Sequence, residues 1–374
     1  MDNNKIHAIA FYLPQYHPIP ENDEWWGKGF TEWTNVTKAK PLFPGHYQPR
    51  LPADLGYYDL RVAEVREQQA EMARSHGVEG FCYWHYWFGN GKQILERPFN
   101  EVLGSGKPDF PFCLAWANES WTGIWHGLGN KVLLEQTYPG REDHLAHFEV
   151  LVKAFKDKRY ILVDGKPLFV VYRPDSIPNL KGFADLFQEQ AIKHGLKGLY
   201  LVATNVPPDW NAKEKGFDAI SLSNQAKLAH SRSDNSFKRF IRTQINRRSL
   251  TAIYKKVLKR PIHIYEYKEA MKLFFADEIQ NSFSFPMVIP NWDNTPRSGV
   301  NGFVLRNSTP QLFREVMQEA IKKVEHHSDD KKIIFIKSWN EWAEGNYLEP
   351  DKKYGKQYLE VIKELLVCNN NGFE

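Results

Sequence analysis

The densest chemistry in the sequence lies near its end. Trp339, Asn340, Glu341, Trp342, Glu344 and Glu349 follow closely on the apolar run 333–336. Breaking or making a glycosidic bond takes a proton donor and a base or nucleophile flanking one carbon. Glu341 and Glu344 are the leading pair. A spacing of three in a loop behind a strand can turn both carboxylates toward one point. A neighbouring indole such as Trp342 can desolvate one of them and raise its pKa, giving an acid beside a base. The plainer alternative is that either glutamate caps a helix or pairs with an arginine. Glu349, ahead of Pro350, suits binding a hydroxyl and holding the loop equally well.

Further candidates sit at the ends of other apolar runs. Trp116, Asn118, Glu119 and Trp121 form a second cluster, in which Asn118 and Glu119 can bond a sugar hydroxyl and Glu119 is the chief rival for a catalytic role. Trp84 and His85 end another run, His85 being equally well read as structural. Arg173, Asn205, Trp292 and Asp293 follow later runs, with Arg173 and Asp293 also readable as internal salt-bridge partners. Tyr12 ends the first run. Trp33, with Glu32, either lines a cleft or pins the loop that carries it. Trp339 and Asn340 complete the set of expected sugar-binding residues. Metal ligation is not expected: no Cys or His spacing fits a zinc site, and His326-His327 falls on an exposed helix end. No cofactor is called for, and no Gly-x-Ser-x-Gly elbow is present.

Eight short apolar runs position these residues: 5–13, 80–84, 112–115, 167–172, 199–203, 217–222, 285–289 and 333–337. Helical spacing separates most of them, at 59–76, 93–103, 141–156, 183–194, 266–278, 310–326 and 354–366, with Pro98 expected to interrupt the second helix. The alternation predicts an α/β chain, a (β/α)8 TIM barrel with a long loop after the first strand (14–59) and a basic insertion after the sixth (226–264). One barrel domain is expected over 1–374. A doubly wound open sheet is disfavoured by the absence of a glycine-rich phosphate loop. In such barrels the chemistry lies at the C-terminal strand ends. All twelve tryptophans fall at the end of a proposed strand or in the segment after one, so an indole-lined cleft for carbohydrate is expected, with about half of them facing it.

The composition, 42% hydrophobic and 25% charged with a formal charge of +4, describes a globular chain and gives no argument for nucleic acid. Three cysteines argue against a disulfide framework. The sequence shows no signal-peptide pattern and no run long enough to span a membrane, which predicts a cytoplasmic location. Residues 227–260 carry eleven Lys/Arg and one acid, Asp234, with Ile241, Ile245, Ile253 and Val257 at roughly helical spacing. They are expected either to cover the barrel as a solvated basic face or to touch the inner membrane or a lipid-linked glycan.

The segments Ala-Phe-Tyr-Leu-Pro-Gln-Tyr-His-Pro (10–18), Trp-Gly-Lys-Gly-Phe-Thr-Glu-Trp-Thr-Asn (26–35), Trp-Ala-Asn-Glu-Ser-Trp (116–121) and Trp-Asn-Glu-Trp-Ala-Glu-Gly-Asn-Tyr-Leu-Glu-Pro (339–350) resemble the WbsX-like family, described as glycosyltransferases of O-antigen or capsule clusters. That family in turn resembles glycoside hydrolase family 99, the endo-α-mannosidase type. The resemblance implies that Glu341 acts as base on a substrate 2-hydroxyl and Glu344 as acid/base, through an epoxide-like intermediate with net retention and without metal. It leaves three readings: a retaining glycosidase or transglycosylase of surface-polysaccharide metabolism, a glycosyltransferase using a nucleotide- or lipid-linked sugar, and a non-catalytic sugar-binding barrel.

Overall fold

A computed structural model describes residues 5–123, 132–222, 260–261, 263–275 and 282–368. The basic segment 227–259 and most of the expected insertion lie outside the described residues, so the membrane expectation has no structural counterpart. No helix among the described residues is long and apolar enough to cross a membrane.

The main strands are β1 (His7–Tyr12), β2 (Val78–His85), β3 (Phe112–Trp116), β4 (Lys166–Val171), β5 (Tyr200–Ala203), β6 (Ala219–Ile220), β7 in two short runs (Phe283–Ser284 and Met287–Val288) and β8 (Ile333–Ile336). All but the half-buried run Phe283–Ser284 are almost wholly buried, which explains why they read as continuous apolar runs rather than alternating ones. All pair in parallel, in the order β6, β5, β4, β3, β2, β1, β8. The first run of β7 pairs with β6 and the second with β8, so both ends of the order lie in residues 283–288. The result is a parallel sheet with helices between its strands.

Helix Ala63–Ser75 connects β1 to β2, and Gly77 beyond it has φ +82°, a left-handed stop that suits glycine. Helix Pro310–Val324 shows the usual physics: Thr309 caps it by accepting from Leu312 N (3.2 Å), and Phe313, Val316, Met317, Ala320 and Val324 form its buried stripe.

Three expectations need correction. The segment 14–59 is not structureless. It holds helices Pro20–Trp26 and Glu32–Lys38, the second opened by a Thr31–Thr34 capping box. The interruption expected at Pro98 does not occur, because the helix begins at Arg97 and proline in a first turn lacks only an N–H that would have no partner there. The helix expected over 266–278 is shorter, Tyr267–Ala270 followed by a 3-10 turn Met271–Leu273, and positions 276–278 lie outside the described residues. It is preceded by a strand the sequence did not announce. His263–Glu266 pairs with Phe303–Arg306, which pairs in turn with Trp292–Asp293 in a small second sheet.

Candidate active site

The segment behind β8 folds back on itself. Asn340 and Glu341 pair antiparallel with Tyr347 and Asn346, and the 3-10 turn Trp342–Glu344 lies between the two arms. A turn this short turns Glu341 and Glu344 to the same side. Gly345 closes it at φ +60°, where an added Cβ would stand 2.8 Å from Asp293 N and 3.0 Å from the Arg50 guanidinium carbon. Only glycine fits there.

Both glutamates line a cleft of about 500 Å3 at the C-terminal ends of the strands. Its aromatic walls are Trp26, Trp84, Tyr86, Trp121, Tyr172 and Trp292, and its remaining polar lining includes Glu119, Arg173, Asn205, Arg297 and Lys337. Arg297 is the hub. Its Nη1 donates to Glu344 Oε1 (2.8 Å), its Nη2 to Glu341 Oε2 (3.2 Å), and its Nε and Nη2 to Glu32 Oε1 (2.9 and 2.5 Å). One planar guanidinium thus ties two cleft carboxylates to a third, Glu32, which is only 1% exposed. Trp84 Nε1 adds a bond to Glu341 Oε1 (3.1 Å). Burial, reinforced by the charge of Glu344, pushes the Glu341 carboxyl up to about 7 against the pull of Arg297. Elsewhere in the lining Glu119 is paired with Arg173 (2.7 Å), and burial raises its carboxyl.

Of the residues expected at the site, Trp84, Glu119, Trp121, Arg173, Asn205, Trp292, Glu341 and Glu344 line the cleft. The expected pairing of a glutamate with an arginine also occurs, for both members at once, inside the cleft rather than instead of it. The remaining candidates do not line this cleft. Successive strand residues face opposite sides. Trp84 therefore points into the cleft, while His85 points away, with its Nε2 2.9 Å from that of His147 on helix Arg141–Phe155. Burial lowers His85 to about 4, so the ring stays neutral. Trp116 shares that outward side and donates to Trp87 O (2.9 Å). Tyr12 donates to Gln69 (2.6 Å) on helix Ala63–Ser75.

The others brace loops. Asn118 accepts from Arg173 N (2.7 Å) and donates to Arg173 O (2.7 Å), which fixes the start of that loop. Asn340 does the same for Leu13, accepting from its N (2.7 Å) and donating to its O (3.0 Å). Trp33 donates to Tyr58 O (2.8 Å), and Trp339 is fully buried against Phe81. Asp293 accepts from His46 (2.7 Å), Gln48 (2.8 Å) and the Thr295 hydroxyl (2.6 Å). Burial opposes its charge, yet the bond from His46 and the neighbouring Arg50 and His46 charges hold its carboxyl below the usual range. Since Thr295 opens the short helix Thr295–Ser298, Asp293 sets the position of Arg297. Glu349, 2% exposed, accepts from Trp342 Nε1 (2.6 Å), Gln69 (2.7 Å) and Tyr58 (2.9 Å). It holds the loop.

Of the tryptophans within the described residues, four line the cleft: Trp26, Trp84, Trp121 and Trp292. Arg297, Lys337 and Tyr86 were not anticipated. Arg297 carried one usable signal. Clustered carboxylates behind a strand call for a cation, and Arg297 stands four residues after Asp293 at another strand end.

The family model for glycosyltransferase WbsX matches residues 8–362. Two curated relatives, proteins described as uncharacterized protein WxcX from two strains of Xanthomonas campestris pv. campestris, are 33% and 34% identical over 359 residues, 96% of this chain and 49% of theirs. The chain thus spans about half the length of the curated relatives it matches. Among solved structures, it is similar to a GH99 endo-alpha-mannosidase from Bacteroides thetaiotaomicron in complex with bis-tris-propane (TM-score 0.57, 16% identity, covering 98% of this chain and 97% of that one). It is also similar to a glycoside hydrolase-like protein (TM-score 0.55, 14% identity, 98% and 95%). At these identities the likeness concerns the fold. With the family match running from β1 almost to the end of helix Gln357–Lys363, the chain belongs to the WbsX glycosyltransferase family.

Proposed function

We propose that this chain breaks or transfers a glycosidic bond with retention, in the metabolism of a bacterial surface polysaccharide such as an O-antigen or capsule. The observation that carries the reading is the pair Glu341–Glu344, held in an aromatic-walled cleft by one shared guanidinium. We also read the sheet as a closed (β/α)8 barrel forming one domain, because residues 283–288 bond to the strands at both ends of the order.

In this mechanism ionised Glu341 takes the proton of a substrate 2-hydroxyl, and the 2-oxygen attacks the anomeric carbon. The bond to the leaving oxygen breaks as Glu344 delivers its proton there. Glu344, now a carboxylate, next takes a proton from water or from an acceptor hydroxyl. That oxygen attacks the anomeric carbon, the three-membered ring opens, and Glu341 returns its proton to the 2-oxygen. Two inversions give net retention. A base titrating near neutrality suits the first step, since it is both available and strong enough to take the proton. Arg297 stabilises whichever glutamate carries the charge as it passes from one to the other.

The test is to incubate the chain with oligosaccharides from its producer's surface polysaccharide, with and without an added acceptor sugar, and follow the first-formed anomer by NMR. A retained product, lost in Glu344→Gln, is expected. An inverted product, or full turnover by Glu344→Gln, overturns the mechanism. Product carrying the acceptor in place of water distinguishes transfer from hydrolysis.

A further inference from the structure

Three cations face the cleft, and two of them are committed. Arg297 is bonded to Glu32, Glu341 and Glu344, and Arg173 is paired with Glu119. The third, Lys337, directly follows β8 and is anchored through its backbone N to Val288 O (2.9 Å). Among the described residues its ammonium has no carboxylate within 4.0 Å. Two aromatic rings of the cleft wall flank it instead, Trp292 with its centroid at 5.0 Å and Tyr172 at 6.0 Å. Its field pulls down the carboxyls of Glu119 and Glu341, but no ion pair among the described residues ties it, and cation–π contact places an ammonium without neutralising it, so it can still meet a ligand. Arg173 lies over the same Tyr172 ring at 5.8 Å, which gathers a second cation to that wall.

We propose that Lys337 forms an anion-binding subsite, and that the glycan processed here carries an acidic group beside the scissile linkage. The shared chemistry is an oxyanion on a sugar: the carboxylate of a uronic acid, or a phosphate joined to the ring. This inference names the substrate class and rests on the carbohydrate reading of the cleft. A neutral glycan would leave the ammonium facing its hydroxyls, which gain less from it than a carboxylate does. Hydroxyls would be satisfied equally well by an uncharged donor.

The experiment uses the full chain and measures binding calorimetrically at fixed salt. The probes are methyl glycosides of glucose, galactose and mannose, the corresponding methyl uronides, and the corresponding sugar 1-phosphates. At least one acidic probe should bind about tenfold or more tightly than its neutral partner, the range expected for one charge-assisted hydrogen bond. Lys337→Met keeps the length and packing between the rings while removing the charge. It should erase that preference, bringing acidic and neutral probes to the same affinity, whereas Lys337→Arg should retain it. Tightest binding of a uronide identifies an acidic sugar, and tightest binding of a phosphate identifies a phosphorylated one; either supports the subsite. Equal binding of neutral and acidic probes overturns it, as does a preference that survives Lys337→Met. The two readings fail separately. Turnover of a neutral glycan dependent on Glu344, with no acid preference, removes only the subsite. No sugar binding of any kind removes the carbohydrate reading itself.

Discussion

Two glutamates eight residues apart, Glu341 and Glu349, are both pushed by burial up to about 7, in surroundings that differ. Glu341 borders an open cleft and shares a cation with a second carboxylate. Glu349 sits in closed core, and three neutral donors reach its two oxygens: an indole, an amide and a phenol. A raised carboxyl therefore does not identify a catalytic group by itself. What separates the two is access and the kind of partner. A mobile charge needs a cation that can follow it, as Arg297 can. A fixed charge in a core needs only donors that stay where they are.

Substitution should split the two regions cleanly. Glu344→Gln and Glu341→Gln are expected to lower turnover by roughly 10²- to 10⁴-fold with the melting temperature nearly unchanged, read by product formation and thermal unfolding together. A parallel collapse of stability would move the pair into the structural category. Glu349→Gln should do the reverse. Its amide presents an N–H₂ to donors that require an acceptor, so unfolding in urea should show a loss of about 2–3 kcal/mol, with activity per folded molecule largely kept.

Proton linkage gives a finer separation. In the folded chain both carboxyls titrate near 7, against an ordinary value of 4.5. The folded state thus holds protons that the unfolded state has released, and the contribution to stability falls as pH rises from about 4.5 to 7. Comparing unfolding free energies at pH 5 and pH 8, wild type should lose up to roughly 3 kcal/mol more than Glu349→Gln; equal losses would show that Glu349 does not titrate in this window. Activity should move the other way, rising through pH 7 as Glu341 ionises. Replacing Arg297 with Lys should shift that rise to higher pH, because a single ammonium cannot serve three carboxylates as the fork does. A profile unmoved by Arg297→Lys would mean that the guanidinium does not tune Glu341. The smallest effect is expected at Trp84→Phe, which deletes one bond to Glu341 while keeping a ring in the wall. About a three- to tenfold loss in kcat/KM is predicted, read from initial rates.

Most strands were legible because they are buried on both sides and so read as unbroken apolar runs; the half-buried run Phe283–Ser284 was not among them. The Glu341–Glu344 spacing was legible because a turn that short has few ways to arrange its side chains. The sorting of strand-end residues into cleft and support was not. Asn340 faces inward to Leu13, 327 residues away in the chain, and nothing local to either one announces it. His85 and Trp116 are register partners on adjacent strands, and only the register decides that both turn outward. Glu32 was read as lining the cleft or pinning its loop. Its actual task, holding Arg297 from behind, depends on a residue 265 positions later.

The long segment after β1 sends Glu32 to Arg297, Arg50 to Asn291 and Gly345, and Tyr58 to Glu349. The described part of the hairpin formed by Trp121–Thr122 and Val132–Leu134 contributes Trp121 and Leu133 to the opposite wall and is only half-buried. The cleft is accordingly asymmetric as a target for variation. Grafting a different hairpin after β3 would alter what the pocket accepts while leaving the carboxylate pair in register, whereas exchanging the segment after β1 would dismantle the pair itself. New specificities in relatives of this chain, natural or engineered, should accumulate on the hairpin side.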